Sequence, residues 1–133
     1  MEISHEYKYR IKYSETDKMG FVHHSNYARL YENARWELMR SVGISYSDIE
    51  KQGILMPVVS IESKYIKPLF YDDEIIVTTT VLESPKVKIE FIYEILDKSG
   101  ILHNSAKVVC AFIDENTHKV MRAPSFFIEK LGI

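Results

Sequence analysis

The sequence predicts an α+β domain over residues 1–133, in which a curved antiparallel sheet wraps around one long central helix. From Tyr27 to Val42, apolar side chains recur at spacings of three and four, the period of a helix with one buried face. After residue 56 most of the chain alternates apolar and polar residues, as strands do. Short turns join these strands and therefore predict antiparallel neighbours. The helix must then bury its apolar face on the sheet.

Composition indicates a globular chain with balanced charge. The 133 residues include 17 Lys and Arg against 19 Asp and Glu, and this formal net charge of −2 gives no electrostatic case for nucleic-acid binding. The single cysteine, Cys110, excludes an internal disulfide and a cysteine-based zinc site, and it favours a reducing compartment. The chain lacks a secretory signal pattern and any apolar run long enough to span a membrane. We therefore expect a soluble, cytoplasmic domain.

The first elements are a strand, a loop and the long helix. Residues 7–13 alternate as a short strand, with Tyr13 at its end facing the same side as Tyr9. Residues 14–26 are polar and interrupted by glycine, which is typical of a loop. Ser25 or Asn26 is expected to cap the helix by accepting a bond from a free first-turn amide, and Gly43 to end it.

The rest of the chain reads mainly as strands. Ser47-Asp48-Ile49-Glu50 fits a capping box and predicts one short helical turn. Strands are predicted over 56–67, 73–83, 87–95 and 102–112, with a hairpin turn at 97–100, a short last strand over 119–122 and a terminal helix over 126–131. Exposed apolar side chains favour an interface with a second copy of the chain. They are Ile76, Ile92 and Leu96 on the outer sheet face and Trp36 off the apolar stripe of the helix.

The residues that could carry chemistry lie in the loop before the long helix. Asp17 supplies a carboxylate there, Gly20 a turn, and His23 and His24 two imidazoles. The first amides of a helix are free donors and could stabilise an oxyanion on a carbonyl substrate, which is worth about 3–4 kcal/mol per well-placed donor. A carboxylate beside that carbonyl could attack it or deprotonate a water. The loop therefore contains both halves of an acyl-transfer site.

The same residues also have structural interpretations. Asp17 in a Thr-Asp-Lys-Met-Gly turn is commonly a turn or capping residue. His23 and His24 could bind a metal, but adjacent side chains diverge in direction and no third ligand is apparent. Cys110 fits a core thiol on a strand, and Glu32 a solvated helix face. The sequence contains neither a Gly-x-Ser-x-Gly elbow nor a phosphate-binding Gly-x-x-x-x-Gly-Lys loop, which argues against a serine hydrolase and a P-loop enzyme.

A longer pattern resembles a known family. Residues 13–27 read YSETDKMGFVHHSNY, residues 31–35 read YENAR, and both resemble the hotdog-fold acyl-CoA thioesterases of the 4-hydroxybenzoyl-CoA thioesterase and YbgC type. Residues 58–69, followed by Asp72 and Asp73, resemble the second strand and turn of that family. The resemblance spans residues 5–125, most of the chain.

The resemblance implies a hotdog fold and the hydrolysis of an acyl-CoA thioester to a free acid and coenzyme A. It implies catalytic roles for Asp17, as nucleophile or general base, for His24, whose backbone N–H would face the thioester oxygen, and for Tyr13. It also implies substrate contacts at Gly20, Val22, His23, Val59 and Ser60. No metal is expected, and no cofactor beyond the coenzyme A of the substrate. The family forms homodimers with sites at the subunit interface, commonly paired into homotetramers.

Two alternatives stay open at this point. A hotdog hydratase or dehydratase would use Asp17 and His24 to move a proton next to a thioester. A non-catalytic hotdog module would bind an acyl ligand or a protein partner. Coenzyme A and acyl-carrier protein are both compatible with the sequence as the thiol carrier, and the acyl group is left open.

Overall fold

The computed structural model describes residues 2–133 and confirms the predicted α+β class. Its helices and strands are β1 (Ile3–Arg10), α1 (Ser25–Ser41), α2 (Tyr46–Lys51), β2 (Ile54–Leu55), β3 (Val58–Tyr65), β4 (Glu74–Val81), β5 (Lys88–Asp97), β6 (Leu102–Ala111), β7 (Ile113–Asp114) and α3 (Ser125–Leu131). Among these helices, none has both the length and the apolar character needed to cross a membrane.

Five strands form one antiparallel sheet in the order β1-β4-β5-β6-β3, and β2 pairs separately with β7. The prediction that successive strands pair holds for β4 with β5 and for β5 with β6, but it is wrong for β3 and β4. Residues 66–73, which we call the crossover segment, carry the chain across the end of the β5–β6 hairpin instead. There the N–H groups of Ile66 and Lys67 both donate to the His103 carbonyl at 3.0 Å.

The core lies between α1 and the inner face of the sheet. On β5, alternate side chains are fully buried, among them Phe91 and Ile95, and α1 contributes a buried stripe that includes Leu30, Ala34 and Leu38. Burying one such large apolar side chain stabilises the fold by roughly 1.5–3 kcal/mol. The apolar residues that recur with the helix period in α1 and with the strand period in the sheet thus pack against each other in one core.

The start of α1 differs from the predicted cap. The residue before the helix is His24, and no side chain caps the first turn from that position. Ser25 Oγ contacts His23 Nδ1 at 2.8 Å, and Asn26 Nδ2 donates to the Glu15 carbonyl at 2.8 Å, so the capping role predicted for Ser25 or Asn26 is wrong. Gly43 ends the helix as predicted, with a φ of +86° that L side chains rarely adopt.

Several other boundaries shift. The capping box of α2 uses Ser45 and Asp48, two residues earlier than predicted, because the Asp48 N–H donates to Ser45 Oγ at 3.0 Å. The strand predicted over 56–67 is shortened to β3, which begins after Pro57, a residue with no N–H to donate to a ladder. β2 lies before the predicted strand and was not predicted. Residues 119–122 form no strand, and only Val120 makes an isolated bridge.

Candidate active site

The loop before α1 folds into a small hairpin that contains Asp17. Thr16 bridges Val22 in antiparallel fashion, and the Asp17 N–H donates to the Phe21 carbonyl at 2.8 Å. Gly20 closes the turn by donating its N–H to the Asp17 carbonyl at 3.0 Å. A Cβ at Gly20 would meet open space, so the residue is favoured by its φ of +83° and not by close packing. The hairpin therefore brings Asp17 back beside the chain that leads into the helix.

The Asp17 carboxylate is half-buried and held in one orientation. Its Oδ1 accepts the Met19 N–H at 2.9 Å. This is the hydrogen bond expected if Asp17 stabilises the turn, as its sequence context suggests. Within residues 2–133, Oδ2 takes no hydrogen bond from the protein. One oxygen thus fixes the carboxylate, and the other is available to a substrate or a water.

Glu15 anchors this loop, and the sequence analysis did not single it out. Its side chain is only 4% exposed, and its carboxylate accepts the Tyr9 hydroxyl at 2.9 Å and the Lys12 N–H at 2.7 Å. Arg29 on α1 lies 3.7 Å from the same carboxylate. Burial, followed by the hydrogen bond to Glu15, raises the pKa of Tyr9 to about 12. Glu15 thereby connects β1, the loop and α1.

The backbone of Glu15 adds to this connection. Its carbonyl accepts the His23 N–H at 2.9 Å as well as the side-chain amide of Asn26. A buried acid inside a hydrophilic loop has no apolar period to reveal it. The only signal in the sequence is its position six residues after Tyr9, and that spacing alone predicts no contact.

One amide at the start of α1 is free. The Ser25 N–H points to His23 Nδ1 at 3.3 Å, and the Asn26 N–H donates to the His23 carbonyl at 2.9 Å. In the part of the chain that the structure describes, the His24 N–H has no partner. It lies at the positive end of the 17-residue helix, so a carbonyl oxygen placed there would meet both a donor and the helix dipole.

The two histidine side chains do not diverge, contrary to expectation. The rings of His23 and His24 stack with centroids 4.2 Å apart and planes 33° apart. Among residues 2–133, no group of three or more His, Cys, Asp or Glu side chains is arranged to hold a metal ion.

Tyr13 lies outside the strand that was predicted to contain it. β1 ends at Arg10, and Tyr13 begins a single 3₁₀ turn at residues 13–15. Its side chain is 76% exposed and packs edge-to-face on Tyr71, with ring centroids 5.6 Å apart. The expectation that Tyr13 faces the core side with Tyr9 is therefore wrong.

Val59 and Ser60 lie on β3, at the opposite edge of the sheet from β1. Both are exposed, and the pairing of β3 with β6 is irregular between Val58 and Ser60. The structure thus brings Asp17, Gly20, Val22, His23 and His24 together in one loop. Val59 and Ser60 are placed on a separate element within one chain.

A groove runs along α1 from its first turn. A cavity of about 350 Å³ is bordered by Ser25, Glu32, Val58 and Ile61, and it adjoins a cavity of about 740 Å³ that includes Met39 and Ile49. Both cavities are lined by Glu32, Arg35 and Val58, and we call them together the helix groove. The groove begins at the helix turn that follows the free His24 amide, and the inner residues of its larger cavity are apolar.

Arg35 is the buried charge of this groove. Its side chain is 6% exposed; the guanidinium donates to the Tyr93 hydroxyl at 3.1 Å and lies 5.6 Å from the centre of the Phe91 ring. Within residues 2–133, Arg35 forms no ion pair with an acid. Cys110 also lines the groove, and burial raises the pKa of its thiol, as expected of a core cysteine.

Comparison with known proteins identifies a family whose model includes the loop before α1. The model of the thioesterase-like superfamily matches residues 11–131. The chain is 37% identical over 109 residues to YneP of Bacillus subtilis, provisionally described as an acyl-CoA thioesterase, covering 82% of this chain and 79% of YneP.

Two solved structures are similar as well. A DHNA-CoA thioesterase from Staphylococcus aureus superposes with a TM-score of 0.85 at 35% identity, covering 90% of this chain and 80% of that one. An Aquifex aeolicus protein of unassigned function superposes with a TM-score of 0.89 at 32% identity, covering 96% and 98% of the two chains. The family match spans the loop, α1 and every strand from β2 to β7. The chain therefore belongs to the thioesterase-like superfamily, and it is a hotdog-fold thioester hydrolase of the acyl-CoA thioesterase family.

Proposed function

We propose that the protein hydrolyses an acyl-CoA thioester with Asp17 as the catalytic carboxylate and the His24 N–H as the oxyanion donor. The observation that carries this proposal is the presence, in one loop, of a half-buried carboxylate and an amide at a helix start; within residues 2–133, neither Oδ2 of the carboxylate nor the amide has a hydrogen-bond partner. The amide would stabilise the negative charge that develops on the thioester oxygen, an effect of about 3–4 kcal/mol.

The chemistry needs only the acyl thioester and water. As a general base, Asp17 takes a proton from water while the water oxygen bonds to the acyl carbon. The carbon–sulfur bond then breaks, and the proton passes to the departing thiolate. As a nucleophile, Asp17 attacks the acyl carbon and expels the thiolate, which leaves a mixed anhydride. Water then hydrolyses the anhydride, which releases the acid and restores the Asp17 carboxylate, and the proton from water passes to the thiolate. We propose no metal or cofactor in either route, since the helix end polarises the carbonyl.

We propose that the acyl group lies in the helix groove, which leads from the first turn of α1 to apolar side chains. Glu32 and Arg35 line both of its cavities and offer an acceptor and a donor to a polar substituent on the acyl group. This arrangement favours a hydroxyaryl-CoA, in keeping with the substrate named for the Staphylococcus aureus relative.

We also propose that the working form is a homodimer joined along β3. This edge strand exposes Val59, Ile61 and Tyr65, and its outer backbone edge has no strand beside it in the described chain. Joining two copies there would place the β3 residues Val59 and Ser60 at a subunit interface next to the helix groove. Pairing of dimers into a homotetramer through the outer face that carries Ile76 and Ile92 is a further part of this proposal. The single reduced cysteine favours the cytoplasm as the compartment.

The test is release of free thiol from a panel of short-chain, long-chain and hydroxyaryl acyl-CoAs, followed with a thiol-reactive dye. Wild-type protein should release thiol, and Asp17→Ala should not. The matched control is Asp114→Asn, because Asp114 also accepts backbone N–H groups in a turn, from Asn116 and Thr117 at 2.9 Å, and lies in another hairpin.

Two outcomes would overturn the proposal. A change in enoyl absorbance without thiol release would indicate a hydratase. Binding of acyl-CoA that leaves every member of the panel intact would indicate a binding module.

A further inference from the structure

The crossover segment holds the hairpin that contains Asp17. The Val22 N–H donates to the Leu69 carbonyl at 2.8 Å, and Phe21 forms an antiparallel bridge with Phe70. The rings of Phe21 and Phe70 also pack edge-to-face, with centroids 5.3 Å apart. The Asp17 N–H donates to Phe21, so the position of Asp17 depends on where the crossover segment lies.

His103 ties the crossover segment to the β5–β6 hairpin. Besides accepting two backbone N–H groups through its carbonyl, it uses both ring nitrogens. Nδ1 lies 3.1 Å from the Pro68 carbonyl oxygen, and Nε2 lies 2.8 Å from Asp97 Oδ2. The side chain is only 12% exposed, so water competes little for these two contacts.

Both partners of this ring are hydrogen-bond acceptors. A carbonyl oxygen only accepts, so Nδ1 is the donor in the contact with Pro68. The Asp97 side chain is ionised, because the hydrogen bond from His103 and those from backbone N–H groups lower the pKa of its carboxyl group. Its Oδ1 accepts the Ser99 and Ile101 N–H groups, at 2.8 and 3.1 Å, which leaves Oδ2 to His103. The ring thus has an acceptor at each nitrogen, one from the crossover segment and one from the β5–β6 hairpin.

We propose that His103 is a positioning residue that links Asp97 to the crossover segment and so holds the Asp17 hairpin against the start of α1. This inference rests on the proposed function of Asp17. His103 touches neither substrate nor reacting atoms. It acts through Pro68 and Leu69, adjacent residues that meet the ring and the hairpin respectively.

The link from His103 to the crossover segment depends on pH through Asp97. Asp97 is the acid that pairs with His103 within residues 2–133. Two nearby lysines have acidic partners of their own, Lys98 with Glu74 and Lys107 with Glu90. The surrounding elements also carry Glu62 and Lys64 on β3, Lys88 and Glu94 on β5, and Lys67, Asp72 and Asp73 in the crossover segment. At low pH the link is lost when Asp97 takes up a proton.

The experiment compares His103→Gln, which offers no charged pair of donors, with His103→Arg, which keeps a permanent charge and several donors. Ser105→Ala, two residues along β6, is the matched control. The first readout is the pH profile of kcat/KM. The second is the protection of the Val22 amide against hydrogen exchange, normalised for intrinsic exchange.

We expect His103→Gln to lower kcat/KM about tenfold at neutral pH, mainly through kcat, because a charged hydrogen bond is lost. His103→Gln should also lose Val22 protection, and His103→Arg should restore most of the protection and of the activity. Wild-type protein should lose both on the acid side, where Asp97 takes up a proton. Ser105→Ala should behave as wild type.

Val22 protection that is the same in wild type and His103→Gln would overturn the proposal. A His103→Arg variant as impaired as His103→Gln would overturn it as well. The exchange readout requires no turnover. If wild-type protein released no thiol but showed the expected exchange, the proposed function would fail and the link from His103 to the hairpin would stand.

Discussion

The two edges of the sheet are built differently. β1, at one edge, alternates half-buried residues with exposed polar ones, and its exposed side includes Glu6, Lys8 and Arg10. Charged side chains on an edge strand discourage pairing with another chain. β3, at the other edge, exposes Val59 and Ile61, and seven of its eight residues are exposed.

The difference indicates which edge is suited to pairing with another chain. β1 is not suited to it, because its inner side packs on the core and its outer side is charged. β3 combines an open backbone edge with apolar side chains, the combination that favours a second chain. The helix groove is bordered by Val58 and Ile61 of this same strand. The comparison therefore connects the proposed dimer to the proposed substrate site.

Placing a charge on β3 should have the largest effect of all these changes, both on assembly and on activity. Ile61→Lys puts a cation into the proposed interface, so we expect sedimentation to show monomers and thiol release to fall by about 100-fold or more, since a buried unpaired charge costs several kcal/mol. Ser4→Lys places the same residue at an exposed position on β1 and should leave assembly and activity unchanged. A dimer that survives Ile61→Lys would show that β3 is not the interface.

Shortening a side chain in the centre of the sheet should lower the stability of the protein much more than shortening one on the β3 edge. Phe91 on β5 is fully buried, so Phe91→Ala should lower the free energy of unfolding by about 3–5 kcal/mol. In the monomeric Ile61→Lys background, Val59→Ala should cost less than about 1 kcal/mol, because the Val59 side chain is 50% exposed. Urea unfolding followed by circular dichroism measures both changes. Equal costs at the two sites would contradict the burial that distinguishes β5 from β3.

The inner side of β1 can be tested at high pH. Folding raises the pKa of Tyr9 to about 12, whereas an unfolded tyrosine titrates near pH 10. Between these values the unfolded chain binds fewer protons than the folded one, so stability falls as the pH rises. Tyr9→Phe should make this decline shallower, although it also removes a donor from Glu15 at every pH. Unfolding midpoints measured across the alkaline range should show it, and an unchanged slope would argue against the Tyr9–Glu15 contact.

Removing a charge from the outer side of β1 should have the smallest effect on stability. Arg10 pairs with Asp72 and Glu74, but all three side chains are well exposed to solvent. Exposed ion pairs contribute little and are screened by salt. Arg10→Ala should therefore shift the urea midpoint by an order of magnitude less than Phe91→Ala, and added salt should erase the shift. A large, salt-insensitive loss would mean that this edge is part of the core.

The sequence predicted those parts of the fold that depend on local periods. α1, β4, β5 and β6 followed from them, as did the turn at 97–100, because one buried face imposes its spacing on the residues. The position of β3 could not be predicted in this way. Its pairing with β6 depends on the path of the crossover segment, which is set by long-range contacts such as those of His103.

Part of the candidate site could also be predicted from the sequence, and part of it could not. The loop motif brought attention to Asp17 and His24, and the structure places them in one loop with the neighbouring Gly20. Glu15 was missed because its burial comes from β1 and α1 closing over a polar segment. Tyr13 was misplaced because β1 ends at Arg10, and the alternation of the sequence continues past the end of the strand.

The most direct test of the account is Asp17→Asn under single-turnover conditions, with the acyl-CoA that wild-type protein cleaves fastest. The amide keeps the size of the side chain and an oxygen for the Met19 N–H, but it can neither attack a carbonyl nor take a proton from water. We predict that the variant binds this acyl-CoA with wild-type affinity and releases its thiol at least about 1,000-fold more slowly. Thiol release within a few fold of the wild-type rate would contradict the assignment of Asp17 as the catalytic carboxylate.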